Sequence, residues 1–246
     1  MNSINNPVSI HKENPMDAKQ FVNKIIDENQ ALFRASQHNV KAYFDSKPPQ
    51  EELVQHFVGR MVNERMNMAE ISQAIAQMPA DTPTEELELL TRQAQDEARH
   101  FRMVKEVIEH MTGEPLDVAA AIAAEAEKPT AKGAGLLAKY GAENDAVALA
   151  AYQLVAEGRA EAVWNQMADC IEDEFISSSY AKIARDEGFH ANIGGWKLEK
   201  MAQDDATQAR VEELVAKMRR DLYDISCRNT TAAEDGKKLV ADAYGW

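Results

Sequence analysis

Asp96-Glu97-Ala98-Arg99-His100 recurs ninety residues later as Asp186-Glu187-Gly188-Phe189-His190. Each copy lies in a run whose apolar residues have helical spacing. Residues three apart share one face of a helix, so Glu97 and His100 point the same way, as do Glu187 and His190. Such pairs on two helices can close on shared metal ions. One Glu-x-x-His pair alone carries little weight; its duplication calls for two further carboxylates on neighbouring helices.

Upstream of Glu97 the candidates are Glu64 and Glu70. Six residues apart, they stand about 240° apart around a helix, and only one can face the core. The face of Glu64 carries Phe57, Met61, Met68, Ile71 and Ile75; that of Glu70 carries Asn63, Asn67, Gln73 and Gln77. Glu64 is the carboxylate on the apolar stripe. In the second half Glu157 shares a face with Leu154, Ala160, Trp164 and Ala168. The intervals then agree, 33 residues from Glu64 to Glu97 and 30 from Glu157 to Glu187.

Thirty residues of unbroken helix span about 45 Å, so each pair meets only if its segment folds back near its midpoint. For the first pair the midpoint falls in Pro79-Ala80-Asp81-Thr82-Pro83, a strong turn signal. For the second it falls at Glu172, within the acidic Asp169–Glu174, which has no Gly or Pro. The competing reading, exposed i, i+3 ion pairs, explains neither the matched intervals nor the apolar stripes.

The 246 residues suffice for one large domain, and strand patterns are scarce. An all-α fold is expected: a flexible N-terminus over 1–15, then a single helical domain over 16–246 with its metal-binding core at about 50–201. A helix over 17–43 ends at Lys47-Pro48-Pro49 and stays outside that core. Core helices follow at 51–78, 84–110, 142–168 and 175–201, with further helices at 207–227 and 232–244. The stretch from His100 to Glu157, with an Ala-rich helix at 118–127 and the breaker Lys128–Gly135, reads as one long crossover. A net charge of −14 disfavours nucleic acid and anionic membranes as partners. The N-terminus lacks a basic-then-apolar leader and no run reaches a membrane span, so a cytoplasmic protein is expected. Cys170 and Cys227 form no Cys-x-x-Cys pair, which removes a zinc ribbon or rubredoxin-like centre from consideration.

Four carboxylates offset two divalent cations, and oxygen donors with two imidazoles suit iron or manganese. Asp96 and Asp186, each preceding a ligand Glu, are placed to accept the free imidazole N–H of the opposite helix's His. Glu64, Glu97, His100, Glu157, Glu187 and His190, with those aspartates, resemble the ligand set of the ferritin-like di-iron carboxylate superfamily. Size and hairpin intervals are similar to those of stand-alone oxygenases such as aldehyde-deformylating oxygenase.

The resemblance implies a ferritin-like four-helix bundle with additional terminal helices. It implies two iron ions, a manganese–iron pair being compatible, with O2 as co-substrate. The activity implied is an O2-dependent oxygenase or oxidase acting on a small organic molecule by hydroxylation, N-oxygenation, desaturation or aldehyde deformylation. With no reductase motif in the chain, electrons would come from an external ferredoxin or reductase; a homodimer is the default assembly. The alternative is a ferroxidase or a peroxide-scavenging, rubrerythrin-like iron protein. A radical-generating subunit and a metal-free helical scaffold are further readings.

Around the ligands, Glu161 is a candidate seventh carboxylate or a rim residue. Tyr180 is a site-facing phenol or a core tyrosine, and Met61, Met68 and Phe57 line a tunnel or pack the core. Gly194-Gly195 opens space or admits a close helix. His11, His38, His56 and His110 lack ligand spacing and read as surface residues.

Overall fold

In a computed structural model, residues 16–127, 135–229 and 232–246 are described, and they contain helices but no strand. The N-terminal 1–15 with His11, and the breaker 128–134, lie outside the described residues. Helix α1 spans Ala18–Asp45, α2 Gln50–Gln77, α3 Thr84–Thr112, α4 Val118–Ala126 and α5 Leu136–Lys139. A 3-10 turn at Ala142–Asn144 leads to α6, Ala146–Tyr152, which runs through a π turn, Gln153–Glu157, into α7, Gly158–Cys170. Then come α8 at Glu174–Met201, α9 at Asp205–Asn229 and α10 at Glu234–Tyr244.

Local chemistry sets the helix ends. Asp17 caps the amides of Lys19 and Gln20, Asp145 those of Val147 and Ala148, and Asp173 that of Ile176. Pro49 and Pro83 precede the first turns of α2 and α3. Gly113, at φ +72°, closes α3 in the left-handed conformation. The chain reverses between α2 and α3 within 78–83, and between α7 and α8 within 171–173.

One expectation needs correcting. The third core helix is not continuous from residue 142: Asp145 restarts it, and the π turn adds a residue to one turn just before Gly158. Face assignments made across that point with a 3.6-residue period lose phase.

The apolar core is split in two. One cluster includes Phe21, Ile25, Leu32, Ile71, Leu90, Leu149 and Leu198; the other includes Phe57, Met61, Met103, Val107, Trp164, Tyr180 and Ile183. Along α2 the order is Phe57, then Glu64, then Ile71; along α3 it is Leu90, then Glu97 and His100, then Met103. The continuous α6–α7 rod runs Leu149, Glu157, Trp164, and α8 runs Ile183, Glu187 and His190, Leu198. A polar belt at mid-length thus separates the two apolar clusters. The order also sets direction: α2 is antiparallel to α3 and α7 to α8, whereas α3 and α7 run the same way.

Helix α1 packs against α7 and α8, and α9 and α10 pack against α1. Tyr244 Oη donates to Glu28 O at 2.6 Å and accepts from Leu32 N at 3.2 Å, tying the C-terminus to α1. Among the described residues no helix is long and apolar enough to cross a membrane.

Candidate metal centre

The belt brings Glu64, Glu97, His100, Glu157, Glu187 and His190 together, none more than 4% exposed. Two overlapping groups form, Glu64–Glu97–His100–Glu187 and Glu97–Glu157–Glu187–His190, each offering one ligand atom per residue within 4.8 Å of the others. Glu97 and Glu187 belong to both. Glu97 turns Oε2 toward His100 Nδ1 at 3.7 Å and Oε1 toward His190 Nδ1 at 3.2 Å. Glu187 mirrors it, Oε1 at 3.5 Å from His100 Nδ1 and Oε2 at 3.1 Å from His190 Nδ1. Glu64 stands beside His100 alone, its Oε2 3.4 Å from Nδ1. Glu97 and Glu187 thus stand between two halves, Glu64 with His100 on one side and Glu157 with His190 on the other.

Both histidines turn Nδ1 inward and Nε2 outward. His100 Nε2 lies 3.2 Å from Asp186 Oδ2, and His190 Nε2 lies 3.3 Å from Asp96 Oδ2. An aspartate on the outer nitrogen keeps the proton there and leaves Nδ1 as the donor atom. Arg99 joins the two aspartates, its Nη2 2.6 Å from Asp96 Oδ1 and 2.8 Å from Asp186 Oδ2. Sequence reasoning passed over Arg99, although it sits inside the repeated motif. It also passed over Gln93, which donates to Glu157 Oε1 at 2.9 Å and accepts from Gln153 on the π turn at 2.7 Å.

The protein alone leaves this box poorly satisfied. Glu64 Oε2, both Glu97 oxygens and His100 Nδ1 are buried without a hydrogen-bond partner. Burial, then the charges of Glu97 and Glu187, lifts Glu64 to about 8 against the attraction of the His100 imidazole 3.4 Å away. Burial and the Glu187 and Glu97 charges push Glu157 well above the carboxylate range. Burial also opposes charge on Glu187 and His190, but hydrogen bonds outweigh it: His100 and His190 hold Glu187 at about 2, and Asp96, Glu187 and Glu97 lift His190 to about 12. Without metal the box therefore keeps protons on two carboxylates and two imidazoles. A pair of divalent cations would replace those protons and meet the orphaned atoms, so the donor set fits a dinuclear centre.

The remaining candidates fall elsewhere. Glu161 stands against Gly188, where a Cβ would meet its carboxylate at 2.8–3.0 Å, and it lines an outer groove with Phe189, Asn192 and Trp196. Its oxygens are not among those that converge. Tyr180 is buried between Phe57 and Trp164, with ring centroids 5.4 and 4.9 Å away. Met61 is packed in the same cluster, and Met68 is half-buried. Glu70 accepts from Gly135 N at 2.9 Å, away from the box. His56 is no surface residue: it stacks on Tyr43 at 4.9 Å, and burial lowers it to about 3. His38 is half-buried, and His110 is exposed and pairs with Asp173 at 2.9 Å.

Among the described residues, no methionine borders the cavity that touches Glu64, Glu157 and Glu187. That cavity, of about 70 Å³, is bordered by Arg60, Asn63, Asn67, Tyr152, Arg159 and Trp164. Asn63 and Asn67 belong to the polar face of α2 that the sequence assigned to solvent. Helix α9 covers that side with Leu222 and Ile225, so a polar face at the sequence level becomes a cavity wall.

No family model matches the chain, and no curated protein matches it. Among solved structures it is similar to a TenA homolog from Pseudomonas syringae pv. tomato, with a TM-score of 0.62 and 13% identity over 92% of this chain and 97% of the other. The likeness overturns the expectation of an O2-dependent non-haem di-iron oxygenase or oxidase, together with its ferroxidase or peroxide-scavenging alternative. Those activities were inferred from a ligand set over about residues 50–201 that resembles that of ferritin-like oxygenases, whereas six ligands at the right spacing specify a place for metal and leave the reaction open. What the comparison establishes is the fold: an all-α chain whose path follows that of a TenA homolog over nearly its whole length.

Proposed function

We propose that the chain is a metal-dependent enzyme whose four glutamates and two histidines bind a pair of divalent ions. In this reading α2–α3 and α7–α8 act as a ferritin-like metal-binding bundle inside a TenA-like chain. The single observation that carries it is the buried convergence of Glu64, Glu97 and His100 atoms that find no partner within the protein. An oxygen-rich set with two imidazoles favours iron or manganese. When bound, the pair supplies Lewis acidity at the cavity wall. The chain's own residues do the rest. Glu97 and Glu187 would be shared by the two ions, Glu64 and Glu157 would each hold one of them, and Asp96 and Asp186 orient His190 and His100. Arg99 holds the two aspartates in register, and the two apolar clusters exclude water from the box.

The test is metal analysis of full-length protein stripped with a chelator and reloaded with Mn2+, or with Fe2+ under anaerobic conditions. Two ions per chain are expected in the wild type, with a rise in melting temperature. Glu157→Ala and His190→Ala should each bind one ion or fewer, while Glu70→Ala keeps two. A folded wild-type chain that takes up well under one ion would end this reading.

A further inference from the structure

We propose that Arg60 and Arg159 form the recognition site for a small carboxylate, the substrate class of the centre; this rests on the metal-dependent reading above. Arg60 lies one helical turn before Glu64, and Arg159 lies two residues after Glu157. Both guanidinium-bearing residues line the 70 Å³ cavity against the box, and both line a smaller cavity of about 10 Å³ on its far side. Among the described residues neither has a carboxylate within 4 Å. Arg159 is buried, and its Nε donates to the uncharged hydroxyls of Ser36 at 3.2 Å and Ser226 at 3.1 Å. Arg60 makes no hydrogen bond within the described residues and lies over the Trp164 ring, 5.7 Å from its centroid.

A buried cation ordinarily has an anionic partner, and two near each other need one more. Arg60 and Arg159 border the same two cavities, which sets the two like charges beside one shared space. The box is committed elsewhere: its four glutamates would face two divalent ions, and Asp96 and Asp186 face the histidines and Arg99. Among the described residues no carboxylate is left for the two arginines, which makes an external anion their fitting partner.

Size and lining narrow the ligand. A cavity of 70 Å³ is a few times the roughly 15 Å³ that one water needs, which suits about four to seven heavy atoms. Ala160, Trp164, Leu136, Leu222 and Ile225 provide an apolar wall, while Asn63 and Asn67 offer amides. A monoanion with a short hydrocarbon stem fits this lining, its carboxylate on the arginines and its other end toward Glu64, Glu157 and Glu187. A phosphate has no stem to fill the apolar wall and carries more charge past the box carboxylates.

The experiment uses the full-length chain, metal-loaded, with butyrate as probe and butyramide and inorganic phosphate as comparisons, read by calorimetry; elemental analysis of the same samples reads the metal. Saturable butyrate binding at one per chain is expected, with none for butyramide. Loss of a charge-assisted contact should weaken butyrate about tenfold or more in Arg60→Gln and in Arg159→Gln while metal content stays at two. Arg159→Lys, which keeps the charge, guards against misfolding of the glutamine variant and should retain part of the affinity. Metal at two per chain with no butyrate binding, butyrate binding unchanged in both glutamine variants, or tighter binding of phosphate would each overturn the carboxylate site and leave the metal centre standing. Butyrate binding by a chain that takes no metal would overturn the substrate role through failure of the centre itself.

Discussion

Adding one methyl group at Gly194 tests how the metal belt is held. Gly194 sits on α8 one turn after His190, where α8 crosses α6 and the π turn. A Cβ there would stand 2.5 Å from Ala150 O, 2.6 Å from Leu154 N and 2.8 Å from Gln153 Cβ. Two of these are backbone atoms of one helix, so no side-chain rotation relieves them. Ordinary contact at about 3.4 Å requires the helices to part by roughly 0.9 Å in a close-packed interior. Such overpacking costs about 1–3 kcal/mol, and the upper end applies where backbone must move. Alanine's better helix propensity returns about 1 kcal/mol. Gly194→Ala should therefore lose about 2 kcal/mol, or about 4–8 °C in melting temperature for a chain of this size. It should also weaken metal binding at the Glu157 end, because Glu157 is carried by the displaced turn. Gly195→Ala is the control: its Cβ would meet Leu154 Cδ1 and Val22 Cγ1 at 3.8 Å, an ordinary contact. That variant should be neutral or stabilised by up to about 1 kcal/mol. Urea denaturation followed by circular dichroism, with metal analysis beside it, reads both. Gly194→Ala unfolding at the wild-type midpoint, or Gly195→Ala falling as far, would refute the close-approach argument.

Asp186→Asn removes the negative charge that faces His100 Nε2 and Arg99 while keeping one acceptor oxygen; metal affinity measured by chelator competition should fall about 10–100-fold with saturating stoichiometry preserved, and an unchanged affinity would remove the orienting role. Glu161→Gln should keep both ions, since its carboxylate faces Gly188 and the outer groove; loss of an ion would return it to the ligand set. The metal-free chain should lose stability as pH rises. Glu64 is raised from 4.5 to about 8 and His190 from 6.5 to about 12, so the folded state holds a proton that the unfolded state has released from pH 4.5 to 8 at Glu64 and from pH 6.5 upward at His190, while His56, lowered to about 3, opposes this only below pH 6.5. Glu187, held at about 2, adds no slope across that window. Urea midpoints at pH 5 and pH 8 should therefore fall with pH in metal-free protein and level out when metal is added; a midpoint that rises would contradict the protonation described for the box.

Local pattern was enough to read the helical architecture, both reversal points and the choice of Glu64 over Glu70 as the carboxylate on the buried face, because helix period, proline placement and apolar stripes are short-range properties of the chain. The same pattern could not reveal the π turn, against which Gly194 of a neighbouring helix packs, nor the stacking of half-buried His56 on Tyr43. Asn63 and Asn67 read as a polar face turned from the core until α5 and α9 made them a cavity wall, and nothing in the pattern singled out Arg60 or Arg159. The reaction inferred from family resemblance failed for a related reason: ligand spacing constrains where ions sit, while the residues around the cavity come from helices distant in the chain. Sequence alone determined which side chains lie on the inner faces of the helices. Which of those faces meet, and what space they leave between a box of carboxylates and a pair of arginines, was decided only by tertiary packing, since that depends on the distances between helices and not on the period within any one of them.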